Sequence, residues 1–250
     1  MRNVFILTMF AFSIFLVSFS IPDAHATTYQ LQDNQSSCEQ YSWNWDSINH
    51  ICTMRFDLTI NSGDTFQIYS GVTLADPGYV INDYGTMINN GTISVSTASN
   101  SIGAMHIIGS GINHGEIDLQ DANLDIYGKL TNTDFKSYIN VQASSRLTIL
   151  SSGTVINNAT IQINNLGVGT QVHVESGSTL DNSVKGIIYV NGELNIDSGG
   201  VINNSGTIEN NSGGINNSGT IDDECGGIIT GSITGNTAVN DCLPSQPTSL

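Results

Sequence analysis

Residues Gly192 to Ile221 read GELNIDSGGVINNSGTIENNSGGINNSGTI, a handful of short words written over and over. Val201-Ile202-Asn203-Asn204, Gly206-Thr207-Ile208, Ile215-Asn216-Asn217 and Gly219-Thr220-Ile221 alternate β-branched pairs with Asn, Ser and Gly. Strands of about four or five residues between tight turns fit this pattern. Such strands bury too little apolar surface to stand alone, and they become stable when successive copies stack into one continuous apolar column. The expected fold is therefore all-β, a single-domain β-solenoid.

The same alternation extends backward through Leu58-Thr59-Ile60, Ile88-Asn89-Asn90, Gly115-Glu116-Ile117, Leu124-Asp125-Ile126, Leu147-Thr148-Ile149, Val155-Ile156-Asn157-Asn158 and Leu194-Asn195-Ile196. Every second residue is apolar, so each strand has one buried and one wet face. Ile60, Ile93, Ile117, Ile126, Ile149, Ile161, Ile196, Ile208 and Ile221 are expected to point inward and stack. The word Gly-x-Ile/Leu begins at Gly91, Gly115, Gly192, Gly206 and Gly219. Its uneven spacing implies that it opens strands on more than one side of the rung. Asn tolerates left-handed turn conformations, and stacked Asn side chains can form hydrogen-bonded ladders along a solenoid.

These I-N-N-x-G-T-I words resemble those of secreted parallel β-helix proteins with adhesin-like, haemagglutinin-type repeats. The resemblance covers roughly residues 57–222. It implies a parallel β-helix and a cell-surface or adhesive role, and it carries no catalytic residues.

The segments flanking the repeats differ from them. Residues 1–26 have a basic start at Arg2, an apolar run from Val4 to Ile21 and the small-x-small site Ala24-His25-Ala26, the layout of a secretory signal. Cleavage after Ala26 leaves no second apolar stretch of spanning length, so no membrane span is expected in the mature chain. Secretion or cell-surface display is the expected location. Residues 27–56 read as a disulfide-closed N-terminal cap, 57–222 as the repeat region, and 223–250 as a C-terminal disulfide segment with a disordered tail. An exported chain with four cysteines suggests disulfides. Of the three connectivities, local pairing of Cys38 with Cys52 and of Cys225 with Cys242 is the one an elongated solenoid permits, because bridged Cα atoms must lie within about 7 Å.

The net charge is −16 with only 11% charged residues, and losing residues 1–26 leaves that net charge unchanged. Nucleic acid and anionic membranes are thus excluded as expected partners. Cell-envelope or extracellular-matrix components, including glycans, remain. Tyr41, Trp43 and Trp45 alternate, so in an extended strand they share one side. They are either an aromatic platform for sugar rings or part of a lid over the first rung, and the need of repeat stacks for capped ends favours the lid. Asn34, Asn90, Asn158, Asn203, Asn210 and Asn216 begin Asn-x-Ser/Thr sequons, candidate glycosylation sites in a glycosylating environment.

β-Helices also host polysaccharide lyases and hydrolases. Asp222-Asp223 and His114-Gly115 are the nearest approach to such a site. The bases after the signal are Arg55, Lys129, Lys136, Arg146 and Lys185, scattered and without a subsite pattern. His50, His106, His114 and His173 form no metal-ligand spacing. The expected function is a non-catalytic structural or adhesive one, without cofactor or metal. The alternative is a carbohydrate-binding or carbohydrate-active β-helix.

Overall fold

A computed structural model describes residues 26–97 and 102–240. The chain is a parallel β-solenoid of three sheets, with ten, nine and ten strands. One rung illustrates the winding. Thr86–Asn89 lies in sheet I, Thr92–Ser96 in sheet II and Ala104–Ile107 in sheet III. The next rung repeats the path with Ser110–Asn113, Glu116–Gln120 and Asn123–Ile126. Apart from Asn44–Asp46, which pairs antiparallel with Ile51–Thr53, each strand pairs in parallel with its neighbours one rung before and after, Ile93 opposite Ile117 and Ile117 opposite Ile139 for example.

Along almost every strand the second and fourth residues are buried and the first and third are half-exposed, the alternation read from the sequence. All nine expected isoleucines are at most 2% exposed. They divide among columns. Ile93, Ile117, Ile139, Ile161, Ile188 and Ile208 stack on sheet II, and Ile126, Ile149, Val174 and Ile196 on sheet III. The Gly-x-Ile spacing is explained as well. Gly91, Gly115 and Gly206 precede strands of sheet II, Gly192 one of sheet III, and Gly219 one of sheet I.

Sheet I carries a ladder. Asn89, Asn113, Asn132, Asn157, Asn182 and Asn204 occupy the last strand position in successive rungs, where an apolar side chain would otherwise sit, and each is at most 1% exposed. Each Nδ2 donates to the Oδ1 of the next residue at 2.8–2.9 Å, and the last donates to Asp223 at 2.7 Å. Nδ2 also donates across the corner to a backbone carbonyl entering sheet II, as from Asn132 to Thr160 and from Asn182 to Thr207. Burial without these bonds would strand two or three polar atoms per rung. The ladder spacing of 19 to 25 residues is the length of one rung.

The expected ends are modified. The cap contributes strands of its own: Thr28–Leu31 pairs in parallel with Thr65–Ile68, and Ile51–Thr53 with Thr73–Ala75. It also holds a single helical turn, Gln35–Glu39, which no periodicity announced; Asn34 caps it, accepting from the Ser37 N–H at 2.9 Å. Cys38 in this helix bonds to Cys52 of sheet II, both fully buried. At the other end the winding continues past residue 222 through Ile228–Thr230, Ile233–Gly235 and Val239–Asn240. Cys225 is disulfide-bonded. Its expected partner Cys242, the tail to residue 250 and all but the last residue of the expected signal lie outside the described residues.

Two acids stand in the core. Asp83 is fully buried on sheet III, between Ile60 and Ile107. Its Oδ1 accepts from the Gly85 N–H at 3.0 Å, as Asn217 Oδ1 does from Gly219 near the other end of the same column, but its Oδ2 has no partner. Burial pushes its pKa up to about 7. Asp76, at the end of a sheet II strand, is likewise buried and pushed up to about 6. Because these folded values lie above the unfolded one, the native chain holds the protons more tightly. Their contribution to stability is complete in acid and is lost as pH rises through about 6 to 7.

Two predictions follow this architecture. Melting temperature should be higher at pH 5 than at pH 8, and Asp83→Asn should raise it more at pH 8 than at pH 5. Asn157→Ala strands a donor on Asn132 and an acceptor on Asn182, and should cost about 3 kcal/mol in denaturant unfolding.

Candidate functional site

Alternation leaves function to the first and third strand positions, which face water. On sheet II these positions bring together residues that are far apart in sequence. Glu116 and Asp118 lie on one strand, Tyr138, Asn140 and Gln142 on the next, Gln162 beyond them, and Tyr189 one strand further. Asp118 Oδ1 accepts from Asn140 Nδ2 and Gln142 Nε2, both at 2.7 Å, and Oδ2 accepts from Gln120 at 3.1 Å. Asn164 donates to Asn140 Oδ1 at 2.8 Å and accepts from Gln162 at 2.6 Å. The Tyr138 hydroxyl donates to Gln162 Oε1.

Burial, and then the charge of Asp118, raises the pKa of Glu116. Burial, and then the charges of Glu116 and Asp118, raises that of Tyr138, which stays a hydroxyl donor at neutral pH. The face is a fixed mesh of carboxylate, amide and phenol groups. It can present hydrogen-bonding atoms at the rung spacing without reorganising. Asp118 already accepts three amide N–H groups, which a catalytic role as base would have to displace.

The residues singled out from sequence are distributed differently. His114 sits at the corner between sheets I and II, its Nδ1 2.8 Å from Asp134 Oδ2. Asp223 ends the asparagine ladder, five strand steps along the column from Asn113, or about 24 Å. The two pieces of the hypothetical glycosidase site therefore do not meet. His173 does face outward, its Nε2 3.0 Å from Asp197. His50 lies in the cap, with Nδ1 2.5 Å from Asp33.

Tyr41, Trp43 and Trp45 form no platform along one strand. Ser42 has φ 57°, which interrupts the extended path, and the strand spans only Asn44–Asp46. Trp43 is 3% exposed. Its ring centroid is 4.9 Å from that of Tyr41 and 6.3 Å from that of Phe66, a fully buried residue of the first sheet I rungs. Trp45 stands edge-on to His50. The group closes the end of the apolar column, and Trp43 has no face to offer a sugar.

The six sequon asparagines are scattered. Asn34 is the helix cap and Asn216 is exposed, whereas Asn90, Asn158 and Asn203 are half-exposed. Asn210 ends the sheet II strand Thr207–Asn210 and is half-exposed, with Nδ2 donating to Ser232 O at 2.9 Å.

Sequence inspection missed the sheet II mesh because its members are ordinary polar residues 22 to 24 positions apart. The rung length, once known, is the signal that would have found them.

Neither models of protein families nor the curated proteins include a match to this chain. Among solved structures the chain is similar to a TibC-catalysed hyper-glycosylated TibA55-350 fragment. That likeness covers 76% of this chain and 84% of the fragment at 18% identity, with a TM-score of 0.16, an overlap that assigns no function.

If Trp43 is a lid residue, Trp43→Ala should cost roughly 3–5 kcal/mol by leaving the Phe66 end of the core open. Thermal or denaturant unfolding of the variant checks this; a ligand-facing tryptophan would leave stability nearly unchanged.

Proposed function

We propose that the chain is a secreted or surface-displayed, non-catalytic β-helix whose wet faces adhere to extracellular partners, cell-envelope or matrix components and glycans among them. The observation that carries this reading is the sheet II mesh. Its donors and acceptors are held by one another across successive rungs, so a partner meets a rigid, repeating polar surface. Rigid repetition suits many weak contacts that add through multivalency.

The signal-like residues 1–26 and the buried Cys38–Cys52 bridge are consistent with export. The net charge of −16 steers the chain away from nucleic acid and anionic membranes. The carboxylates of the mesh also bear on catalysis. Glu116 and Asp118 are two acids on one face, but Asp118 is saturated by amides and no arginine or lysine belongs to this mesh.

The secreted chain should bind immobilised cell-envelope or matrix preparations in a saturable manner, and should release no sugars from pectin, alginate, xylan or chitin with or without calcium. Turnover that vanishes in Glu116→Gln or Asp118→Asn would replace this reading with an enzymatic one. Absence of binding to every such preparation would remove the adhesive part.

A further inference from the structure

The corner where sheet III passes into sheet I carries an arrangement separate from both the mesh and the lid. Three successive rungs turn this corner with two residues each: Tyr84-Gly85, Ile108-Gly109 and Tyr127-Gly128. The glycines are sterically required, since a Cβ on Gly109 or Gly128 would lie 2.2 Å from the carbonyl oxygen of the glycine one rung earlier. The N–H groups of Tyr84, Ile108 and Tyr127 donate to Ile60, Asp83 and Ile107 carbonyls at 2.8–2.9 Å. These bonds set the three side chains in one outward column. Tyr84 is 49% and Tyr127 44% exposed, and two rung spacings place them about 10 Å apart.

A polar column runs alongside, two residues earlier on each strand: Asn82, His106, Asp125 and Thr148. His106 Nδ1 is 3.0 Å from Asn82 Oδ1, and its Nε2 is 3.5 Å from Asp125 Oδ2. Thr148 hydrogen-bonds to Asp125. The Tyr127 ring stands at 89° to the His106 imidazole with centroids 6.2 Å apart, so it is braced rather than loose.

We infer that this strip binds a neutral, extended β-1,4-linked polysaccharide strand lying parallel to the solenoid axis. The inference rests on the adhesive reading and names the ligand class for it. In such a polysaccharide every second sugar presents the same face, and the disaccharide repeat is close to the two-rung distance of about 10 Å. Each tyrosine then meets the C–H face of an alternate sugar, while ring hydroxyls reach the Asn82–His106–Asp125 column. A net charge of −16 disfavours polyuronates and sulfated chains. An α-linked chain coils and does not keep the spacing.

The test is calorimetry of the secreted chain with cellohexaose, chitohexaose and maltohexaose. Binding of at least one β-1,4 hexamer is expected, without binding of maltohexaose. Tyr84→Ala and Tyr127→Ala should each weaken it roughly tenfold. Phe135→Ala, which alters a more exposed aromatic residue on another corner, should not. Wild type that binds neither β-1,4 hexamer, equal binding of maltohexaose, or a double tyrosine variant that binds as wild type does would overturn the inference. So would a wild-type dimer that the double variant converts to monomer, which would assign the strip to a second copy. Adhesion of the double variant separates the two readings. Adhesion lost together with hexamer binding supports the strip as the adhesive site, and adhesion retained after hexamer binding is lost assigns adhesion to another face while the strip's glycan binding stands. A wild type that binds hexamers but adheres to nothing overturns only the adhesive reading.

Discussion

In-register parallel stacking governs everything else in this molecule. Each backbone N–H and carbonyl of a strand is satisfied by the rung before or after it, so a residue inherits its surroundings from its counterpart about 22 positions away. Inner positions must therefore match the column they join. Isoleucine above isoleucine on sheet II and asparagine above asparagine on sheet I obey the same rule by different means. The apolar columns remove surface from water, and the ladder column replaces water with a neighbouring amide.

The rule also identifies where the molecule departs from itself. Asp83 joins a column of Ile60, Ile107 and Ile126, and copies only half of what Asn217 does at the end of that column: it accepts from the turn but gives nothing back when ionised. That is why burial displaces its proton equilibrium so far. Outer positions face no such matching requirement. Their pairing into the Asp118 mesh and the His106 column is added order on the wet side, and it gives the surface a fixed hydrogen-bonding pattern.

Legibility in the sequence followed the same division. Ile208 and its eight companions were readable because burial enforces period-two alternation. The corner glycines were readable because their word recurs. Asparagine stacking could be anticipated in kind, but not its position inside the core, since Asn89 and Asn90 look alike until register separates them. The Gln35–Glu39 turn is too short to show a period. Trp43 looked like part of an alternating strand because Ser42 gives no sign of its left-handed conformation. The sheet II and corner sites consist of residues with unremarkable neighbours. Only the three-dimensional register places Tyr84 in line with Tyr127, or Asn140 beside Asp118.

The asparagine ladder has a direction. Each amide donates an N–H toward the C-terminal rung, and the series closes on Asp223, a carboxylate with acceptors only. Duplication or loss of a whole rung between Asn89 and Asn204 would preserve the relay, because every junction there is the same amide-to-amide bond. A copy inserted just after Asp223 would find no donor waiting for it. The ladder therefore tolerates whole turns added or removed in its middle, whereas Asp223 fixes where it stops.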